Sequence, residues 1–221
     1  MKIYILPILF IHILLCVSCT SGRNEVIFAE SESLLDTAPD SALSVLKTIL
    51  YPEELSEKEY NRYALLKIQA EYKSYQDITS DSTILSVKEY YLKKKDIHNI
   101  ALSSYYCGCY YKEIENQKEA MNEYLQASDY AEKTNDWNLK GLIDNAIGVL
   151  LSEQFDYKEA IRRFRRSAIF NHQAGNLKNE VISYIQIGDS YQYLEKPDSA
   201  LYYYMNSLSL ADANNLRMGF F

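Results

Sequence analysis

Residues 144–167, which read DNAIGVLLSEQFDYKEAIRRFRRS, decide the fold. Their pattern recurs on both sides at one constant spacing, so that a glycine stands at positions 108, 148 and 188. An alanine follows each glycine, at positions 120, 160 and 200, and an aromatic residue follows each alanine, at positions 124, 164 and 204. A fixed spacing of this kind is typical of repeat architectures, in which each unit packs against its neighbours. The sequence therefore predicts a stack of similar units.

The composition indicates that these units are helical. Glycine and proline account for 11 of the 221 residues, whereas ordinary usage is roughly 12%. Folds built from short strands need a turn signal about every 8–12 residues, and so few chain-breaking residues exclude them. Apolar residues make up 48% of the chain, which is sufficient for a packed core. The predicted fold class is all-α.

The repeated pattern resembles the tetratricopeptide repeat (TPR), in which Trp-x2-Leu-Gly-x2-Tyr is followed by Ala-x3-Phe. The matching residues are Ser104, Cys107, Gly108, Tyr111, Ala120, Tyr124 and Ala127; Asp144, Ile147, Gly148, Leu151, Ala160, Phe164 and Ser167; and Tyr184, Ile187, Gly188, Tyr191, Ala200, Tyr204 and Ser207. The period, about 40 residues, is longer than the roughly 34 of the family, and Glu132, His172 and Asp212 replace the closing proline. The resemblance implies a right-handed α-solenoid with a concave inner surface.

Weaker echoes of the unit precede Gly108. The segments 40–43 and 81–84 are similar to 198–201, and Ser56-x-x-Glu59 fits a capping box at the start of a helix. We therefore expect about five antiparallel hairpins over residues 25–213. Their helices are predicted at 25–36 and 40–50, 57–75 and 82–94, 97–114 and 117–133, 137–153 and 157–174, and 177–194 and 197–213.

Residues 1–18 resemble a bacterial lipoprotein signal peptide. Lys2 precedes a nearly unbroken apolar run over residues 3–15, which is shorter than the roughly 20 residues of a membrane-spanning helix. Val17-Ser18-Cys19 fits the lipobox of this class, although Cys16 stands where Leu is usual. The resemblance implies cleavage before Cys19, acyl chains on Cys19, and a membrane anchor on the periplasmic side of the inner or outer membrane. Residues 19–24 would form a short tether.

The sequence gives little support for catalysis. His98 and His172 lie near predicted loops, and the chain contains none of the motifs H-E-x-x-H, G-x-S-x-G or a glycine-rich phosphate loop. Cys107 and Cys109 are too few ligands for a zinc site, and we predict that they are buried thiols. We expect a non-enzymatic protein without a metal or another cofactor.

The densest charged feature is the run Arg162-Arg163-Phe164-Arg165-Arg166. An anion-binding patch is one interpretation. We favour a solvated helix face with Phe164 turned inward, because Glu153, Asp156 and Glu159 are close enough in sequence to neutralise the arginines. The net charge of −7 also argues against nucleic acid as the partner, because phosphate binding needs a basic surface.

The resemblance to TPR proteins implies that positions −3, +1 and +4 from each glycine line the concave groove. Besides Cys109 and Val149, these positions supply our candidates for contacts with a peptide or protein, which are Tyr105, Lys112, Asn145, Ser152, Ile185, Asp189 and Gln192. Aromatic and amide side chains on a concave wall suit an extended or helical peptide.

The last residues resemble the start of another unit. Asn215-Leu216-Arg217 is similar to Asn176-Leu177-Lys178, which opens a predicted first helix. We expect residues 214–221 to begin a sixth unit and to leave the C-terminal end without a cap. A partner protein could cover this end, or a second copy of the chain could cover it in a homo-oligomer. The third alternative is that the sequence is a shortened form of a longer protein.

Three functions are compatible with these features. The leading hypothesis is a lipid-anchored repeat scaffold that binds protein or peptide in the bacterial envelope. The second is the sensor segment of a membrane-linked signalling or transcriptional regulator whose output domain is missing. The third, a glycan-uptake lipoprotein of the outer membrane, would need a carbohydrate platform rich in tryptophan, and the chain has only Trp137.

Overall fold

The computed structural model describes residues 22–214 and residue 216. These residues form ten α-helices and one short 3-10 helix, and no strand occurs among them. The all-α prediction is therefore confirmed. The predicted signal peptide over 1–18, the lipidation site Cys19 and most of the predicted sixth unit over 214–221 lie outside the described residues.

The observed helices follow the predicted ones closely. They are α1 (22–34), α2 (Pro39–Leu46), a 3-10 helix (Pro52–Glu54), α3 (Glu57–Lys73), α4 (Thr83–Lys94), α5 (Ile97–Glu113), α6 (Gln117–Ala131), α7 (Trp137–Glu153), α8 (Tyr157–Ala174), α9 (Leu177–Tyr193) and α10 (Pro197–Ala213). The chain divides into two compact units, one running to Val87 and the other from Lys88.

In the first unit, α1, α2 and α3 enclose a small apolar core. Phe28 is completely buried there, together with Leu35, Ala42, Leu43, Leu46, Leu66 and Ala70. The predicted capping box begins α3, because Glu59 N donates to Ser56 Oγ at 3.3 Å and Ser56 N donates to Glu59 Oε2 at 3.2 Å. Asn24 Nδ2 donates to Glu59 Oε1 at 3.2 Å. This bond holds the start of α1 against the start of α3.

In the second unit, consecutive helices pack as hairpins. The pairs α5 with α6, α7 with α8, and α9 with α10 are in contact, and α8 also packs against α9 of the next hairpin. The first helices α7 and α9 touch each other as well. Two neighbouring first helices therefore lie side by side, as a TPR-like arrangement requires.

The repeated glycines allow the second helix of each hairpin to approach the first. A Cβ added to Gly108 would lie 2.4 Å from the ring of Tyr124; the corresponding distances are 2.6 Å for Gly148 and Phe164, and 2.5 Å for Gly188 and Tyr204. No real Cβ contact is that short, so the aromatic ring occupies the space that a side chain would need. The repeated glycine is thus in contact with the repeated aromatic residue in all three hairpins.

Local signals fix where the helices begin and end. Asp96, Asn116, Asp136, Asp156 and Asn176 each accept a hydrogen bond from the backbone N–H three residues later. The residue that follows the last turn of a first helix takes a positive φ of 56–64°. These residues are Tyr75, Glu115, Phe155 and Glu195. This conformation stops α3, α5 and α9 one or two residues before their predicted ends, whereas α7 ends at Glu153 as predicted.

Two boundaries in the first unit differ from the predicted ones by more than two residues. α1 begins at residue 22 rather than 25, so residues 22–24 of the predicted tether are helical. α2 ends at Leu46 rather than at residue 50. Pro52 prevents the helix from continuing through Tyr51, whose φ is −128° and ψ is 72°, but it does not explain why α2 ends as early as Leu46.

Gly148→Ala tests the glycine contact. Alanine favours a helix by up to about 1 kcal/mol over glycine, but here its Cβ would displace the buried ring of Phe164. We expect the free energy of unfolding to fall by about 1–3 kcal/mol, as measured by urea denaturation. Gly22→Ala is the control, because open space surrounds the position of its Cβ. An equal or higher stability of Gly148→Ala would contradict this account.

Candidate functional site

The seven predicted groove residues do not form one continuous surface. Tyr105 is only 6% exposed, and its ring packs against Tyr106 and Tyr124, with centroids 5.0 and 5.8 Å apart. Asp189 and Gln192 accept hydrogen bonds from the hydroxyl of Tyr204, at 2.7 and 3.0 Å. The side chains of these three residues are thus engaged by the aromatic packing of their own hairpins.

The residues at the ends of the first helices are engaged differently. Lys112 Nζ lies 3.5 Å from Glu153 Oε1 and so joins the end of α5 to the end of α7. The neighbouring Ser152 Oγ is buried and has no hydrogen-bond partner among the described residues. Ile185, on α9, is half-buried. As contacts to a ligand, all of these residues stay predictions.

Asn145 lines a small cavity between α7 and α9. The cavity measures about 90 Å³, and its other walls are Gly141, Leu142, Asn171, Asn179 and Ile182. Within residues 22–214, the structure records no hydrogen bond to the side-chain amide of Asn145 or of Asn179. Three asparagine side chains and two aliphatic side chains therefore meet where the first helices α7 and α9 touch.

Asn171 reaches this cavity from α8 and is held by a buried network. Its Nδ2 donates to Ser167 Oγ at 3.1 Å, and Ser167 Oγ donates to the carbonyl oxygen of Gly141 at 2.8 Å. Asn171 is 1% exposed, yet its Oδ1 has no partner among the described residues. A buried acceptor without a donor costs about 1–3 kcal/mol, so a donor supplied to this oxygen would stabilise the protein.

The asparagine cavity was missed by the sequence prediction, apart from Asn145. Asn171 stands where the neighbouring hairpins have Ala131 and Ala211, both buried. Gly141 makes room for it, since a Cβ there would lie 2.6 Å from Asn171 Oδ1. A large polar residue in a small-residue column, opposite a second glycine in the same hairpin, is the signal that could have located this site.

Three of the four arginines in the run pair with carboxylates of their own or the preceding hairpin. Phe164 is fully buried, as predicted. Arg163 Nη1 and Arg166 Nε each lie 3.0 Å from a carboxylate oxygen of Asp144, whose side chain is 2% exposed. Arg166 also binds Glu132 at 2.7 Å. Arg165 instead donates to the hydroxyls of Tyr191 and Tyr203, at 2.8 and 3.1 Å. The carboxylate contacts of Arg163 and Arg166 favour the solvated-face interpretation over an anion-binding patch.

The predicted acidic partners of the arginines were partly wrong. Glu159 does pair with Arg162, at 2.5 Å. Asp156 instead caps α8, and Glu153 lies beside Lys112. The main partner is Asp144 on the preceding helix, because the i, i+3 spacing of Arg163 and Arg166 directs both toward α7. Burial raises the pKa of Asp144 above its ordinary value, although the two arginines oppose this shift.

The cysteines have no reactive surroundings. Cys107 and Cys109 are 0% and 1% exposed, which confirms the prediction of buried thiols. Burial, followed by the nearby charge of Glu123, raises the pKa of Cys107. The Tyr124 hydroxyl donates to Cys109 Sγ at 3.6 Å. Over the part of the chain that the structure describes, no group of three or more metal-binding side chains is found, and no helix has the length and apolarity to cross a membrane.

The last described helix exposes an apolar stripe. Leu201 and Leu208 on α10 are 58% and 61% exposed, as is Met205 at 61%. The equivalent residues of α8 to the two leucines, Ile161 and Ala168, are buried at 5% and 4%. The covering of this end by a partner or a second copy stays a prediction.

Asp144→Ala tests the ion cluster. The substitution leaves two partly exposed arginines without their shared carboxylate, and we expect the free energy of unfolding to fall by about 2–3 kcal/mol. Glu159→Ala, which removes a more exposed partner, should cost less than about 1 kcal/mol. Thermal and urea denaturation measure both. Equal effects of the two substitutions would show that burial of Asp144 does not matter.

Several solved structures are similar to this chain. PlcR of Bacillus thuringiensis, solved in complex with the peptide PapR7 and DNA, has a TM-score of 0.69 and 13% identity over 88% of this chain and 71% of its own. A kinesin light chain with nearly identical TPR-like repeats from Podosopora anserina has a TM-score of 0.63 and 11% identity over 88% of this chain and 97% of its own. BtubC of P. vanneervenii has a TM-score of 0.62 and 14% identity over 95% of this chain and 87% of its own.

The sequence itself matches no protein-family model. It also matches no curated protein. At these low identities, the structural likenesses show the fold. The chain has a TPR-like helical repeat fold, an α-solenoid of antiparallel hairpins.

Proposed function

We propose that this protein is a non-enzymatic repeat scaffold that binds a peptide or an extended protein segment on the first helices of its second unit. The observation that carries the proposal is the cavity between α7 and α9, where the buried Oδ1 of Asn171 has no donor among the described residues. The cavity is also lined by Asn145 from α7 and Asn179 from α9.

The chemistry of this cavity suits a peptide group. A side-chain amide carries both donors and an acceptor, so Asn145 and Asn179 can pair with the N–H and C=O of an extended backbone. Asn171 Oδ1 is itself covered by neighbouring atoms, so a backbone N–H would reach it, and remove the cost of its burial, only after the covering side chains move. Leu142 and Ile182 offer apolar contact to an adjacent side chain. Direct peptide recognition by such grooves relies on this combination.

A sensor segment of a signalling or transcriptional regulator is the second candidate. The structural similarity to PlcR, which was solved with a bound peptide and DNA, favours it. Both candidates use the same groove and differ in what the occupied groove controls. The peptide site is therefore tested in the same way for either one.

We further propose that Cys19 carries the lipid that anchors the protein in the bacterial envelope. The lipobox-like Val17-Ser18-Cys19 after an apolar run supports this proposal. More than one acyl chain is needed for a stable anchor, since a single chain binds membranes only marginally.

Cys19→Ala tests the anchor in cells. We expect the variant to lose fatty-acid labelling and to leave the membrane fraction, because no acyl chain can then be attached. Tyr75→Ala is the control, since Tyr75 is 96% exposed and lies outside the lipobox-like segment, so its replacement should leave labelling unchanged. An unlabelled wild-type protein would refute lipidation at Cys19.

The peptide site can be tested with a displayed library of random dodecapeptides. Peptides enriched on the purified protein are labelled and titrated against Asn145→Ala, Asn179→Ala and the control Ile169→Ala, whose side chain is 57% exposed on α8. We expect each asparagine substitution to weaken binding about tenfold, the value of one lost hydrogen bond of about 1.4 kcal/mol. The control should stay within about twofold.

The library experiment has two outcomes that would contradict the proposal. One is that no peptide is enriched. The other is that the enriched peptides bind both asparagine variants as tightly as the wild type while circular dichroism shows unchanged helicity. In the second case the peptides bind elsewhere.

A further inference from the structure

The end of the first unit at which α1 begins carries an exposed apolar surface. Leu50 is 76% exposed, Tyr51 62% and Val26 65%. Leu50 and Tyr51 belong to the connection between α2 and the 3-10 helix, and Val26 lies in the second turn of α1. We call these three residues the basal surface.

The connection that carries Leu50 and Tyr51 lies next to the start of α1. A cavity of about 750 Å³ is lined by Arg23 and Asn24 of α1, by Leu50 and Tyr51, and by Ser56 and Lys58 at the start of α3. The hydrogen bond from Asn24 to Glu59 fixes the same end of α1 to α3. The basal surface and the first turn of α1 are therefore at one end of this unit.

The length of chain between the proposed anchor and α1 is short. Gly22, where α1 begins, is the third residue after Cys19, and a fully extended chain of that length spans at most about 11 Å. The headgroup layer of each leaflet is roughly 5–8 Å thick. If acyl chains on Cys19 enter the hydrocarbon region, the start of α1 must lie in or just above the headgroups, whatever the conformation of the residues between.

Side-chain chemistry at this end suits the membrane interface. Transfer of a leucine side chain out of water lowers the free energy. Tyrosine prefers the headgroup level because its ring is apolar while its hydroxyl can hydrogen-bond to water. The charges there are nearly balanced: Arg62 binds Glu25 at 2.6 Å, and Arg23 and Lys58 stand beside Glu54 and Glu59. Attraction to anionic lipid is therefore not required.

We propose that the basal surface rests on the bilayer that holds the acyl chains of Cys19, with Leu50 and Tyr51 inserted among the headgroups of zwitterionic lipids. This inference rests on the proposed lipid anchor. It adds a second, non-covalent contact that orients the first unit on the membrane, so that the end of α3 at Tyr75 points away from the bilayer.

A fluorescence experiment tests the contact without depending on acylation in cells. The chain from Cys19 onward is coupled through the Cys19 thiol to a maleimide lipid in phosphatidylcholine vesicles. Coupling is selective because Cys107 and Cys109 are buried. Trp137→Phe removes the native tryptophan, and a reporter is introduced as Tyr51→Trp. Lipids brominated on their acyl chains then quench a reporter that enters the bilayer.

Tyr75→Trp is the matched control. Tyr75 is also an exposed loop tyrosine, at 96%, but it follows the far end of the 17-residue helix α3, about 25 Å from its start. We expect brominated lipid to reduce the emission of the reporter at 51 at least about twofold and to leave the reporter at 75 unchanged. Adding Leu50→Ser should reduce the quenching at 51.

Two results would overturn the inference. Absence of quenching at 51 would show that the basal surface stands clear of the lipid. Equal quenching at 51 and 75 would show that the unit has no fixed orientation. A failure of the proposed lipid anchor would be detected in a separate experiment, because the wild-type protein would then show no fatty-acid labelling in cells.

Discussion

The contact between a glycine backbone and an aromatic ring is the constraint on which the second unit depends. In each hairpin the ring of Tyr124, Phe164 or Tyr204 lies where the glycine of the first helix has no side chain. The contact sets the separation of the two helices and the rotation of the second helix about its axis. Once that rotation is fixed, Ser167 and Asn171 follow Phe164 on the same helix and reach toward α7.

The same rotation explains how one hairpin combines a charged outer face with a polar inner cavity. With Phe164 turned inward, Arg163 and Arg166 lie beside Asp144 and gain the buried carboxylate. The side chain of Asn171 packs against the backbone of Gly141 and lines the cavity where α7 meets α9. Asp144 and Asn171 are both buried polar residues, but the first is satisfied inside the chain and the second keeps an oxygen without a partner among the described residues. That difference separates the structural residue from the candidate ligand contact.

Much of the fold was predictable because its determinants are local. Helix starts follow from capping side chains such as Asp136 and Asp156, and the packing columns follow from the spacing of Gly148 and Phe164. The helix ends were less predictable, because residues such as Phe155 adopt a positive φ that their side chains do not favour. Pro52 requires α2 to end before it, but it does not determine at which earlier residue the helix ends.

The candidate site was harder to predict because it combines residues from three helices. Asn145 was found from its distance to Gly148, but Asn179 lies two turns before Gly188 and Asn171 belongs to a second helix. Tyr105 occupies the same repeat position as Asn145, yet it is buried by neighbouring rings. The position of a residue in the repeat thus predicts the direction of its side chain, whereas the neighbouring side chains determine how exposed it is.

The central claim is that a peptide binds between α7 and α9. Its most direct test is nuclear magnetic resonance of the 15N-labelled protein during titration with a library-selected peptide. The account predicts that the side-chain amide signals of Asn145, Asn171 and Asn179 shift together, while backbone signals around the exposed Tyr75, which follows α3, stay in place. Shifts confined to residues outside α7, α8 and α9, with the three asparagine signals unmoved, would contradict it.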